Sequence, residues 1–99
     1  MNSAQLFRNH YIDLYSELRR YLWDFETINT IAELEVESYK VFPDINILKM
    51  LLSRLRVHIG QVLRDDEALL HALENFETTV KESEGVIAFV KRPKEVNPQ

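Results

Sequence analysis

Apolar residues recur at every third or fourth position through most of the chain, and this spacing limits the fold more than any other feature. From Ser3 to Val41 neither Gly nor Pro interrupts the pattern. Steps that alternate between three and four residues place side chains on one face of an α-helix. We therefore predict a helix over residues 4–41, with Ser3 as its N-cap. The apolar face of this helix comprises Phe7, Tyr11, Leu14, Leu18, Tyr21, Phe25, Ile28 and Ala32.

A second helix is predicted after the Phe42-Pro43-Asp44 connection. Pro43 disfavours helical backbone at Phe42, and the Asp44 side chain can cap the helix that follows. The same alternation then continues almost to Gly85, which is suited to a left-handed C-cap. We therefore predict a helix over residues 44–83. The predicted fold class is all-α, with two long antiparallel helices forming a helical hairpin.

Two polar motifs leave breaks in these helices open as alternatives. Thr30 and Glu33 fit a capping box, which would interrupt the first helix. Asp65 or Asp66 could cap a separate helix that begins near Glu67. We favour a continuous second helix, because no turn signal precedes Glu67.

The last part of the chain differs from the rest. Val86-Ile87-Ala88-Phe89-Val90 is a short run of β-prone residues. We therefore divide the chain into a helical-hairpin domain, residues 1–85, and an extended segment with a tail, residues 86–99. A single short strand is not stable alone. It is expected to pair with a second copy, to dock on the helices, or to add to the sheet of a partner.

Apolar residues outside the two helix faces predict self-association. A hairpin covers one face of each helix, and the remaining apolar residues would form a large exposed patch. A homodimer of hairpins, closing a four-helix bundle, would cover that patch. A compact monomer of three or four helices is the alternative. The residues predicted to contact a partner or a second copy are Tyr15, Leu22, Trp23, Leu51, Leu70, Val86, Ile87 and Phe89.

The composition excludes several classes of protein. The 99 residues include no Cys, which excludes disulfides, thiol catalysis and Cys-ligated zinc. Only two Gly are present, which argues against a Gly-rich phosphate loop. No apolar run is long enough to span a membrane, and no secretory signal is visible at the N-terminus. We expect a cytoplasmic protein without a cofactor.

Charge alternates along the chain. Residues 44–64 carry four basic side chains and one acidic one, whereas residues 65–84 carry seven acidic side chains and one basic one. Such blocks are expected to pair with each other, within one chain or between two copies. The net charge of −4 argues against general affinity for nucleic acid. A nucleic-acid-binding regulator that uses Lys49 and Arg56 is kept as an alternative.

Two groups of residues could carry chemistry. His10, Asp13 and Glu17 share a helix face and could hold a divalent cation, although a solvated polar face is the expected role. Arg64 and His71 are separated by six residues, which resembles the Arg–His spacing of the HEPN ribonuclease superfamily. The resemblance implies an all-α, often dimeric nuclease. In it, His71 would act on the 2′-hydroxyl or the leaving oxygen, and Arg64 on the phosphate.

The function expected from these observations is protein–protein interaction without catalysis. No nucleophile has an evident neighbouring base, so nothing else in the sequence indicates an active site. We expect a small homo-oligomeric helical adaptor, a chaperone, or an antitoxin-like or immunity-like protein of bacterial or phage type. The nucleic-acid-binding regulator and the HEPN-like ribonuclease are the alternatives.

Overall fold

Five α-helices make up the described part of the chain. The structure, a computed structural model, describes residues 3–96, and side chains are described for residues 5–84. No strand occurs within residues 3–96, so the predicted all-α class is confirmed. None of the helices over this range is long and apolar enough to cross a membrane. The helices are α1 (Ser3–Leu18), α2 (Phe25–Ser38), α3 (Ile45–His58), α4 (Gly60–Leu63) and α5 (Glu67–Val96).

Four of these helices enclose one core. α1 packs against α5 and α2, and α3 packs against α2 and α5, so the four helices form a closed ring of neighbours. α4 is a single turn that contacts α5. This arrangement corresponds to the compact four-helix alternative and not to a hairpin of two long helices. The apolar core consists of Phe7, Tyr11, Leu14, Leu18, Ile31, Leu34, Leu48, Leu51, Leu52, Leu55, Ile59, Leu63, Leu69, Leu73, Phe76 and Val80.

The predicted first helix is wrong beyond Leu18, where α1 ends. The indole N–H of Trp23 donates to the Leu18 carbonyl oxygen at 2.8 Å, which satisfies an acceptor at the end of the helix. Asp24 then caps α2 by accepting a hydrogen bond from the Thr27 N–H at 2.8 Å. The interruption therefore precedes the capping box predicted at Thr30. The Thr30 hydroxyl instead donates to a carbonyl oxygen within α2.

This interruption changes which face of α2 is buried. Phe25, Ile28 and Ala32 were predicted to continue the apolar face of α1, but all three are exposed. Ile31 and Leu34 are buried in their place. A helix that starts anew at its own cap need not keep the rotational phase of the preceding helix. The alternating pattern across the break therefore does not identify the buried face.

The predicted continuous second helix is also wrong, and the alternative of a separate helix capped by Asp66 is confirmed. Asp44 caps α3 as predicted, accepting hydrogen bonds from two N–H groups of its first turn at 2.9 and 3.2 Å. α3 ends at His58, and α4 is a separate turn. Asp66 accepts the Leu69 N–H at 3.0 Å, which satisfies one of the free donors at the start of α5.

α5 continues through the segment that was predicted to be extended. Residues Val86 to Val90 are helical, and Gly85 does not end the helix. Each residue added to an existing helix gains a backbone hydrogen bond, whereas β propensity depends strongly on its surroundings. The extended prediction is therefore wrong. Residues 97–99 of the predicted tail lie outside the described residues.

Candidate protein interaction surface

An apolar groove lies on the surface where α1 connects to α2, and we call it the corner groove. Its volume is about 320 Å³. Aromatic and aliphatic side chains form most of its lining, and Arg19 is its one charged residue. The lining residues are Tyr15, Leu18, Arg19, Tyr21, Leu22, Trp23, Ile28 and Ile31.

Hydrogen bonds hold two aromatic walls of the corner groove in place. The ring of Trp23, anchored through its N–H to α1, lies 5.3 Å from the ring of Tyr21. The Tyr21 hydroxyl donates to the carboxylate of Asp66 at the start of α5. The Tyr15 ring stacks on the ring of Tyr11 at 5.8 Å. Because each ring has a partner on the protein, the groove is formed without a ligand.

Exposed apolar side chains project at the edge of this groove; Leu22 and Ile28 belong to its lining, and Phe25 does not. Leu22 is fully exposed, and Phe25 is 75% exposed. Ile28, on the next turn of α2, is 51% exposed. Burying one such side chain contributes roughly 1.5–3 kcal/mol of favourable free energy. The isolated chain does not gain this free energy at exposed positions. A preformed groove with projecting apolar neighbours is typical of an interaction surface.

The electrostatics around Asp66 stabilise the same region. The Asp66 carboxylate accepts hydrogen bonds from the Tyr21 hydroxyl, the Leu69 N–H and the Arg20 guanidinium. These donors, the Tyr21 hydroxyl first among them, lower the pKa of Asp66 from 3.8 to about 2. The same bond raises the pKa of Tyr21. A charged Asp66 therefore joins the α1–α2 connection to the start of α5.

The structure brings together three of the eight predicted contact residues. Tyr15, Leu22 and Trp23 all line the corner groove. Leu51 is 1% exposed and belongs mainly to the core. Leu70 is half-buried and packs against the core from α5. The remaining three, whose side chains lie outside the described residues, are Val86, Ile87 and Phe89.

Sequence reasoning missed Phe25 and Ile28, because it assigned both to the buried face of a continuous helix. The spacing of Asp24 and Thr27 does signal the start of a new helix, although not which face of that helix is buried. Asp is a preferred N-cap, and the N–H three residues later is a usual partner for its side chain. A helix start at Asp24 places Leu22 and Trp23 in a connection, where they are free to form a groove.

Charged blocks of the chain pair across α3 and α5, as predicted. Lys49 binds Glu84, with its ammonium nitrogen 2.9 and 3.0 Å from the two carboxylate oxygens. Arg56 binds Glu77 through two hydrogen bonds of 2.9 and 2.7 Å. These two cations are the ones considered for phosphate binding. Both are engaged with carboxylates of α5.

The residues considered for catalysis and metal binding lie apart from the corner groove. Arg64 follows α4, and His71 lies on α5; both are exposed, and within residues 5–84 neither side chain forms a hydrogen bond or ion pair. The nuclease interpretation therefore stays a prediction. His10 contacts the Thr79 hydroxyl at 2.9 Å and stacks on Phe76. Within the described residues, no group of three or more His, Cys, Asp or Glu side chains could hold a metal ion.

No protein-family model, curated protein or solved structure matches the chain. The function of the chain is therefore inferred from its own residues. Among them, the corner groove combines a preformed cavity, aromatic walls and exposed apolar neighbours, and it is the candidate functional site.

Proposed function

We propose that this protein is a non-catalytic protein–protein interaction module that binds a second copy of itself through the corner groove. The resulting homodimer acts as a small helical adaptor. Its remaining helix faces are available to a protein partner. The observation that supports this most is the position of Leu22, fully exposed and beside a groove of matching apolar character.

A projecting side chain beside a cavity suits two-fold association. In a two-fold dimer the same patch meets itself, so each copy must supply both the projection and the cavity. Leu22 and Phe25 are the projections, and the space between Tyr15, Trp23 and Ile28 is the cavity. Trp and Tyr at the centre of such a contact are the residue types that contribute most to binding energy.

Leu22→Asp tests this proposal. Sedimentation equilibrium over a range of concentrations measures the average mass, and hence the dimer dissociation constant, of the natural chain and of the variant. We expect the natural chain to dimerise, and we expect the dissociation constant of the variant dimer to be about 100-fold higher or more. Two copies of Leu22 are lost from each dimer, at roughly 1.5–3 kcal/mol each. Helical circular dichroism should be unchanged, because Leu22 makes no contribution to the core.

The matched control is Val57→Asp, which places the same charge on another exposed apolar position. Val57 lies on α3, and no α3 residue lines the corner groove. Its dissociation constant should equal that of the natural chain. Trp23, the one Trp of the chain, gives a second readout: its emission should shift to shorter wavelength as dimer forms. A natural chain that stays monomeric, or equal weakening by both substitutions, contradicts the proposal.

A further inference from the structure

A polar groove lies between α2 and α3, and we call it the polar groove. Its volume is about 430 Å³, which is in the range of small-molecule sites. Its lining contains charged and polar side chains and no apolar one. None of these residues lines the corner groove. The lining residues are Glu26, Asn29, Thr30, Glu33, Arg54 and His58.

The floor of the polar groove is polar because α2 buries threonines near its start. Thr27 and Thr30 are each 2% exposed, whereas Ile31 and Leu34 are the buried apolar residues of the same helix. The Thr30 hydroxyl donates to the Glu26 carbonyl oxygen at 3.1 Å. Its oxygen can still accept a hydrogen bond. An apolar ligand would cover these polar atoms without pairing them, so the groove favours a polar ligand.

Charges of both signs line the polar groove without pairing with each other. Glu26 and Glu33 belong to α2, and Arg54 belongs to α3. None of these three side chains forms a hydrogen bond or an ion pair within residues 5–84. The other Lys and Arg of α3 differ, because Lys49 and Arg56 both bind carboxylates of α5. The fold therefore leaves the two carboxylates and the guanidinium of this groove available to a ligand.

The balance of these charges specifies the ligand that would complement them. Counting His as neutral, the lining carries two negative charges and one positive charge. Asp24, the cap of α2, adds a negative charge near His58. Hydrogen bonds with Thr27 are the main cause that lowers the pKa of Asp24, and the charge of His58 lowers it further. Two carboxylates attract two cationic groups, whereas a guanidinium binds a carboxylate through two parallel hydrogen bonds.

We propose that the polar groove binds a free basic amino acid, a lysine or an arginine. Such a molecule carries two cationic groups and one carboxylate, which is the complement of the lining. Arg54 binds the carboxylate of the ligand, and Glu26 and Glu33 bind its two cationic groups. The site shares no residue with the corner groove, so ligand binding and the proposed dimer are independent of each other.

Titration of the isotope-labelled full-length chain with L-lysine, followed through the chemical shifts of its backbone amides, tests this proposal. We expect saturable shifts concentrated at the residues that line the polar groove. Cadaverine lacks the carboxylate of lysine, and L-norleucine lacks its side-chain ammonium. Each should bind about tenfold more weakly than lysine, because each loses one charge-assisted contact. Shifts that do not saturate, or that lie elsewhere in the chain, overturn the proposal.

Substitutions assign each charge of the ligand to its partner. Arg54→Gln should weaken the binding of lysine about tenfold and should not weaken the binding of cadaverine. Glu33→Gln should weaken the binding of both. The matched control is Arg64→Gln, which removes the same charge from an exposed position outside the groove. Its dissociation constant for lysine should equal that of the natural chain.

Three results would contradict the proposal. Equal binding of lysine and cadaverine would show that Arg54 holds no carboxylate. Equal weakening by Arg54→Gln and Arg64→Gln would show that only the overall charge matters. N-acetyl-lysine amide keeps the side-chain ammonium alone, and binding as tight as that of lysine would assign the groove to a lysine side chain of a protein. Leu22→Asp should bind lysine as the natural chain does, so the groove and the dimer can fail separately.

Discussion

At the scale of single residues, Asp66 links the start of α5 to the connection between α1 and α2. Its carboxylate caps α5 by accepting the Leu69 N–H. It also accepts hydrogen bonds from Tyr21 and Arg20, which lie in the connection between α1 and α2. Tyr21 and Arg20 lie 45 and 46 residues from Asp66 along the chain. The Asp66 carboxylate therefore stabilises both the first turn of α5 and the position of the Tyr21 ring in the corner groove.

Protonation of Asp66 should weaken this connection at low pH. Its pKa is lowered from 3.8 to about 2 on folding, so the charged form binds the folded state more strongly. The stability that follows from this shift is fully present above pH 4 and is lost as the pH falls from 4 toward 2. We expect Asp66→Asn to lower the urea midpoint at pH 7. The difference from the natural chain should shrink to near zero by pH 2.

Asp65→Asn is the matched control for this experiment. Asp65 is exposed and next to Asp66, and within residues 5–84 its side chain forms no hydrogen bond or ion pair. Its substitution should leave the urea midpoint unchanged at both pH values. A loss of stability in Asp66→Asn that is equally large at pH 2 and pH 7 would show that the charge is not responsible.

At the scale of elements, the short α4 contains a position where the sequence is not optimal for stability. Gly60 is its first residue, and a Cβ added there would meet no atom within 4 Å beyond its chain neighbours and the backbone of its own helix. Its backbone has no positive φ that would require Gly. Gly loses more conformational freedom on folding than Ala does. The residue is therefore tolerated by the turn and not required by it.

Gly60→Ala is expected to raise the free energy of unfolding by about 0.4–1 kcal/mol. Urea denaturation followed by circular dichroism measures this change. Gln61→Ala, at the exposed neighbouring position of the same helix, should change stability by less than about 0.5 kcal/mol. A destabilised Gly60→Ala variant would mean that the junction between α3 and α4 needs the freedom of Gly.

At the scale of the whole molecule, the buried side chains form one continuous cluster drawn from all five helices. α1 and α5 contribute Phe7 and Phe76, whose rings lie 6.5 Å apart. α2 and α3 contribute their own leucines to the same cluster. One shared core predicts one cooperative unfolding transition, because no helix can leave without exposing the others.

The native signals of Trp23 fluorescence and of circular dichroism should therefore be lost in the same urea transition. Trp23 fluorescence reports on the corner groove, and circular dichroism at 222 nm reports on all helices. Their urea transitions should coincide. Leu14→Ala, a substitution in the fully buried part of α1, should shift both transitions equally and cost about 2–5 kcal/mol. An earlier Trp23 transition would instead make the α1–α2 connection a separate unfolding unit.

Several features of this protein follow from the sequence alone. The helical class, the start of α3 at Asp44 and the pairing of basic with acidic blocks are local or compositional properties. Trp23 is predicted to be a contact residue because it lies outside the apolar face of the first helix, and the structure places it on the corner groove. Tyr15 and Leu22 are predicted as contact residues because they too lie outside that face, and both line the same groove.

The tertiary structure decided where the long helical patterns end and which side of α2 is buried. The local free energies of continuing a helix and of ending it at a favourable cap differ by only about 1 kcal/mol. Contacts with residues distant in the sequence therefore determine where the helix ends. Tyr21 and Arg20 bind Asp66 although they lie 45 and 46 residues away along the chain, and these bonds form only in the folded chain. The exposure of Phe25 and Ile28, and with it the corner groove, depends on how the helices pack. No spacing within α2 specifies it.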